Sequence, residues 1–265
     1  MTTFTSIPEK LSIPERHNRG TAVPILPASL ACIQMNETLV TLPPFAAYLA
    51  ALLGDTLITC DWIGSAAADL PERLAALATS HELLVLGGPQ PSFLERLLGR
   101  QPGCEAALQA PIPTLIVRQP RWPLERILLV VRADGRDGTA VSWAARLAKA
   151  SHAAVTLLAA VPTLPLMYGP QRHARAGLDV LLTATTDAGG QIRTLARHIT
   201  DCGIDGTLRL RQGEPARQIR WEVAESNPDL IVLVADACTR LPHWLLDDLA
   251  LSLLHWIDRP VLITR

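Results

Sequence analysis

The sequence is short of most residues that announce a chemistry. Aromatic side chains make up 4% of its 265 residues, with only three Phe and two Tyr. Charged residues are 18%, and 24 Lys and Arg stand against 25 Asp and Glu. That balance supplies no broad field to attract nucleic acid or an anionic membrane. The five cysteines, Cys32, Cys60, Cys104, Cys202 and Cys238, are scattered, with no C-x-x-C pair and no mixed Cys/His cluster. Neither a zinc site nor a disulfide framework is signalled, and Cys60 reads as a small apolar residue. Apolar runs are broken by Asp, Pro or Thr before the roughly 18 residues that a membrane-crossing helix needs. The opening MTTFTSIPEKLSIPERHNRG carries prolines and charges where a secretory signal would be apolar. The expected address is therefore the cytoplasm, with no nucleic-acid and no membrane partner. Ser142, Ser151 and Ser252 lie outside any G-x-S-x-G elbow. Asp247, Asp248 and His255 are about two helical turns apart with no third ligand, which reads as helix surface and not as a metal or acid/base site.

What the sequence does contain is repetition. LLVLGG from Leu83 resembles LIVLVA from Leu230, and PTLIVRQ from Pro113 resembles PVLITR from Pro260; both pairs are 147 positions apart. ADLPERLAALATSHE, from Ala68, lies over PARQIRWEVAESNPD, from Pro215, at that same offset. Earlier segments match at an offset of 97: LACIQMNET, from Leu30, over ILLVVRADG, from Ile127, and FAAYLAALLGDTLITCD over SWAARLAKASHAAVTLL with a shift of one residue. The second half thus holds 50 more residues, and the first half reads as having lost one helix and one strand. Constant spacing across several elements is the mark of duplication.

Within the second half, the pattern predicts strands at 126–132, 154–161, 206–210, 229–235 and 260–264. Helices are predicted at 138–150, 184–201, 214–225 and 243–256. Unbroken apolar strands such as ILLVV and LIVLV suit a parallel sheet covered on both faces. Alternation with helices of about twelve residues indicates a doubly wound α/β fold. Pro120 and Pro123 mark a linker, and Trp221, Trp244 and Trp256 are expected to build an aromatic-rich core or meet a partner. QRHARAG, from Gln171, follows the apolar LPLMYGP and reads as an arm for protein or anion contact.

The second half, opening with ILLVVRADGRDGTAVSWAARLAKASHAAVTLLAAVP and closing with QGEPARQIRWEVAESNPDLIVLVADACTR and RPVLITR, resembles a universal stress protein domain. The whole chain resembles a tandem member, with a reduced domain over 28–118 and a complete one over 124–265. The resemblance implies two doubly wound parallel-sheet domains of the Rossmann-like type. The complete one would have strand order 3-2-1-4-5. It also implies pairing of the domains through their last strands, as an intramolecular pseudo-dimer, with a homodimer as a further possibility. That pairing would cover strand edges that IPTLIVR and RPVLITR otherwise expose.

A glycine turn between strand and helix lets backbone N–H groups approach phosphate, and the helix start helps to hold its charge. In ATP-binding relatives, the resemblance implies an Asp after the first strand and a G-x2-G-x9-G-[ST] loop after the fourth. In the second half Arg132 stands at the Asp position, with Asp134 two residues on as a shifted substitute. The loop has become VADACTRLPHWLLDDLALS, with no glycine after Gly213 and with Asp236, Asp247 and Asp248 in the phosphate region. The first half keeps Gly87, Gly88 and Gly99. Proline interrupts its turn, Arg100 replaces the Ser/Thr, and Gln34, Met35 and Asn36 stand at the adenine side. Arg96 and Arg100 read as helix solvation. The expectation is a non-catalytic stress-response protein that acts through an unidentified protein partner, without a cofactor. The alternative is a nucleotide or anion regulator that holds ATP at Gly87, Gly88 and Gly99, and an adenylate-type enzyme comes third.

Overall fold

The computed structural model describes residues 2–3, 29–34, 41–61, 70–87, 108, 110–132, 134–161, 187–235 and 249–265. The strands and helices in chain order are β1 (Thr2–Thr3), β2 (Ser29–Gln34), α1 (Leu42–Leu53), β3 (Thr56–Asp61), α2 (Leu70–Leu77), β4 (Leu83–Gly87) and β5 (Thr114–Val117). They continue with β6 (Arg126–Val131), α3 (Gly138–Ser151), β7 (Ala154–Val161), α4 (Asp187–Asp201), β8 (Gly206–Gln212), α5 (Pro215–Ser226), β9 (Leu230–Val234), α6 (Leu249–Trp256) and β10 (Val261–Thr264).

All ten strands join one sheet in the order β1-β8-β7-β6-β9-β10-β5-β4-β2-β3. Expected as parallel, the sheet is mixed. β1 joins β8 antiparallel, and β5 joins β10 antiparallel with Leu115 opposite Leu262. The reason lies in the closing strands. Each is parallel to its own predecessor, β4 or β9, and each would otherwise present an open edge. An antiparallel pair closes both edges at once.

Residues alternate between two apolar layers, as a strand's period of two requires. Ile127, Leu129 and Val131 face the layer that carries α1, α3 and α4, while Leu128 and Val130 face α2, α5 and α6. β2, β4 and β9 divide in the same way, so their hydrophobic runs serve both faces. A shift of one residue would swap the two sets, which fixes the register.

α1 and α3 pack against each other, and the buried residues of both include small ones, Ala46 and Ala50 on one and Ala140, Ala144 and Ala148 on the other. Both helices end in a left-handed residue, Gly54 at φ 71° and His152 at φ 58°. The N–H of Asp55 then returns to the Ala50 carbonyl, as that of Ala153 does to Ala148. The spacings of 147 and 97 residues reappear in hydrogen bonds. Glu82 N donates to Ser29 O and Asp229 N to Arg126 O, while Leu84 N donates to Pro113 O and Ile231 N to Pro260 O.

The expected aromatic core is corrected at two positions. Trp221 is 57% exposed and Trp256 is 50% exposed. The helix period explains it: α5 turns Ile219 and Glu222 to the sheet and α6 turns Leu253 and Leu254, which leaves each Trp off the buried stripe. Trp244 lies outside the described residues.

Candidate functional site

In an open parallel sheet, ligands collect beyond the carboxyl ends of the strands where chain connections diverge to opposite faces. Here that crevice lies beyond β6 and β9, neighbours in the sheet. The chain leaves β6 toward α3 on one layer, whereas α6, which follows β9 in sequence, packs on the other.

The loop after β6 is held shut by its own side chains. Asp137, only 2% exposed, precedes α3 and accepts the backbone N–H of Arg132 at 3.0 Å. Asp134 accepts the Arg136 backbone N–H at 3.1 Å and the Arg136 guanidinium at 3.0 Å and 2.6 Å, and Arg132 Nε lies 3.2 Å from the same carboxylate. Partial burial alone would raise the pKa of Asp134. The hydrogen bonds from Arg136 and the charges of Arg132 and Arg136 outweigh burial and hold the carboxyl below its ordinary value of 3.8. Gly135 takes the left-handed conformation at φ 86°, where a side chain would be strained. Gln191, near the start of α4, faces it, and its Oε1 is buried without a hydrogen-bond partner.

These contacts decide what Asp134 can do. A ribose or adenine group needs a carboxylate with a vacant acceptor direction; Oδ2 of Asp134 is taken by both guanidiniums, and Oδ1 already accepts a backbone N–H on one of its two directions. Arg132, which stands where the resemblance places an Asp, is one of the groups that bind it.

In the first half, Gly87 ends β4 as a buried residue paired in register with Val117. Gly88 and Gly99 lie outside the described residues, as do Met35, Asn36, Arg96, Arg100, Asp236, Asp247, Asp248 and the segment 171–177. Gln34 ends β2. Ser142 Oγ and Ser151 Oγ each donate to the carbonyl four residues back on α3, which absorbs them as helix surface. The His255 ring meets Trp256 edge to face at 5.5 Å. Among the described residues, no group of three His, Cys, Asp or Glu side chains could hold a metal ion, and no helix is long and apolar enough to cross a membrane.

Sequence reasoning missed the ion pairs that tie elements together. Glu222 on α5 is wholly buried and accepts from Arg209 Nη1 at 2.9 Å and Arg211 Nε at 2.8 Å. The alternation in GTLRLRQ was the available signal, since it puts both arginines on one face of β8. Arg146 on α3 reaches Asp55 at 3.0 Å and Glu82 at 3.0 Å. Its counterpart in the repeat, Tyr48, accepts the Leu124 N–H at 3.0 Å. Each of these two side chains crosses to the other half of the sequence.

A model of the universal stress protein family matches residues 123–265. Among solved structures, a universal stress protein from Archaeoglobus fulgidus is similar at 12% identity and a TM-score of 0.58, covering 90% of this chain and 86% of that one. A protein from Pseudomonas aeruginosa assigned to the universal stress proteins is similar at 18% identity and a TM-score of 0.56, covering 89% and 81%. A functionally unknown protein from the same organism gives 19% identity and a TM-score of 0.55, covering 89% and 80%. At such identities these likenesses establish the fold over most of the chain. No curated protein matches the sequence.

Proposed function

Because the chain belongs to the universal stress protein family, we propose that it is a tandem member that acts in a stress response through contact with another protein, without catalysis and without bound ATP. The observation that carries this reading is the self-paired loop beyond β6. Asp134 spends its carboxylate on Arg132 and Arg136 at the place where ATP-binding relatives read adenine. A loop that satisfies its own charges has little left to offer a nucleotide.

The reading takes the chain as a reduced unit over 28–118 and a complete one over 124–265. The order β8-β7-β6-β9-β10 supports 3-2-1-4-5 for the complete unit, and the hydrogen bonds repeated at 147 residues support duplication. The β5–β10 pair supports an intramolecular pseudo-dimer. The cytoplasmic address stays part of the proposal. Exposed Trp122, Trp221, Trp256 and Ile58 offer apolar area to a protein partner.

The test is to purify the protein without added nucleotide, denature it and chromatograph the supernatant. The expected outcome is no stoichiometric nucleotide. ATP, ADP or AMP at one per chain would overturn the reading, and loss of that nucleotide in Gly87→Asp would move the site to the first-half turn.

A further inference from the structure

At the opposite end of the strands, before β9 and β10 begin, four arginines from three stretches of chain gather near the end of α5. Arg121 Nη1 and Arg259 Nη2 both donate to a single neutral acceptor, Asn227 Oδ1, at 3.1 Å and 2.8 Å. Arg126 Nη1 donates to the Ser226 carbonyl at 3.3 Å. Arg220 lies over the Trp256 ring at 4.6 Å. A cavity of about 410 Å³ opens beside Arg220 and Arg259, lined also by Gln119, Asn227, Trp256 and Asp258 among others, and Arg121 meets its lining through Asn227.

The charges do not balance. A guanidinium offers five N–H donors in a planar fork. Among the described residues, Arg121, Arg126, Arg220 and Arg259 have no ion pair within 4.0 Å. Asp229 gives its Oδ2 to the backbone N–H groups of Glu125 and Arg126, each at 3.0 Å. The charges of Asp229 and Asp258 both act on Arg259 and offset part of the positive charge, as does the negative end of α5. Burial first, and then the neighbouring charge of Arg121, hold the pKa of Arg259 below its ordinary value. A like-charged pair crowded onto one amide oxygen is stabilised by any anion that enters beside it.

We propose that this cavity is a binding site for a small phosphate dianion, free or as a monoester, gripped by Arg259 and Arg220 with Gln119 beside them, while Arg121 adds charge through its contact with Asn227. Two forks converging from separate elements suit a tetrahedral oxyanion. The volume exceeds what phosphate fills, which leaves room for a small organic group beside Trp256. The site is separate from the crevice beyond β6 and β9 and does not depend on it.

The experiment titrates inorganic phosphate into the full chain by isothermal calorimetry in chloride-free buffer, with glycerol 3-phosphate as a second arm. Saturable binding at one site is expected, weakened about ten-fold or more in Arg259→Gln and in Arg220→Gln. Lys149→Gln, a charge-matched change on α3, should leave it unaltered. Asn227→Asp guards against loss of fold: Asp tolerates the left-handed backbone and places a carboxylate between the two guanidiniums, so binding should vanish while the unfolding midpoint is kept or raised. Tighter binding of glycerol 3-phosphate would identify a monoester, and tighter inorganic phosphate the free ion; either supports the site. No saturation by about 10 mM in both arms, or binding indifferent to Arg259→Gln and Asn227→Asp, would overturn it.

Discussion

At the scale of single residues, Asp55 shows how burial and charge compete. Its side chain is almost wholly buried at the turn between α1 and β3, with Arg146 Nη2 3.0 Å from both carboxylate oxygens. Burial raises its pKa, Arg146 opposes the rise by charge and hydrogen bonding, and Glu82 adds to it; the net displacement is upward from 3.8. The folded state therefore holds this proton more tightly than the unfolded chain does. Its contribution to stability is present below the ordinary carboxylate value and is lost as pH rises through the raised folded value. In urea unfolding over a pH series, wild type should have its greatest advantage over Asp55→Asn at the acid end, and the gap should shrink through that window. A gap that widens with pH would mean that the Arg146 pair, and not burial, governs the group.

At the scale of elements, the clamp of α5 on β8 turns on Glu222. It takes both arginines of β8 from a wholly buried position, while Glu225, 55% exposed, binds the same two guanidiniums from the surface. Removing one partner of a buried pair leaves charge uncompensated, and the arginines remain partly hydrated here. Glu222→Gln should cost about 2 kcal/mol in denaturant unfolding. Glu225→Gln should shift the midpoint far less, and equal losses would contradict the burial argument.

The elements themselves were legible because period and spacing are local properties. The run ILLVV at the start of the second half predicted β6, and the offsets of 147 and 97 located β4 over β9 and β2 over β6 before any geometry was known. The partners of Arg146, 64 and 91 positions away, and the meeting of Arg121 with Asn227 across 106 positions are set by tertiary placement, which no spacing rule encodes. The two tryptophans failed for a narrower reason. Their size suggested a core, but the phase of α5 and α6 turned them outward, and each lies beside an arginine, Arg217 by Trp221 and Arg220 by Trp256. At the candidate crevice, the departures from the glycine loop could be read directly. The closure of Asp134 by its own neighbours could not, because acceptor use is a matter of angle and distance.

For the whole molecule, the decisive feature is the antiparallel seam of β5 and β10. VLIT of β10 is buried at every position, and one of its edges is covered only by TLIV of β5. If the second half is expressed alone, as residues 123–265, that edge and the face of α3 that packs on α1 both become open. An apolar strand with one unpaired side recruits another strand, and the strand available in a solution of identical chains is a second copy of β10. The fragment should therefore elute as a dimer in size-exclusion chromatography with light scattering. The alternate amides of 261–264 that face β5 should be protected from hydrogen exchange both in that dimer and in the intact chain. Adding the separate 28–118 segment should convert the dimer to a one-to-one complex, because β5 restores the Leu115–Leu262 register together with the contacts of Arg146 to Asp55 and Glu82. A fragment that stays folded and monomeric, with the β5-facing amides of 261–264 exchanging freely, would show that the seam is not what holds the two ends of the sheet together, and that the α1–α3 contact carries the joint instead.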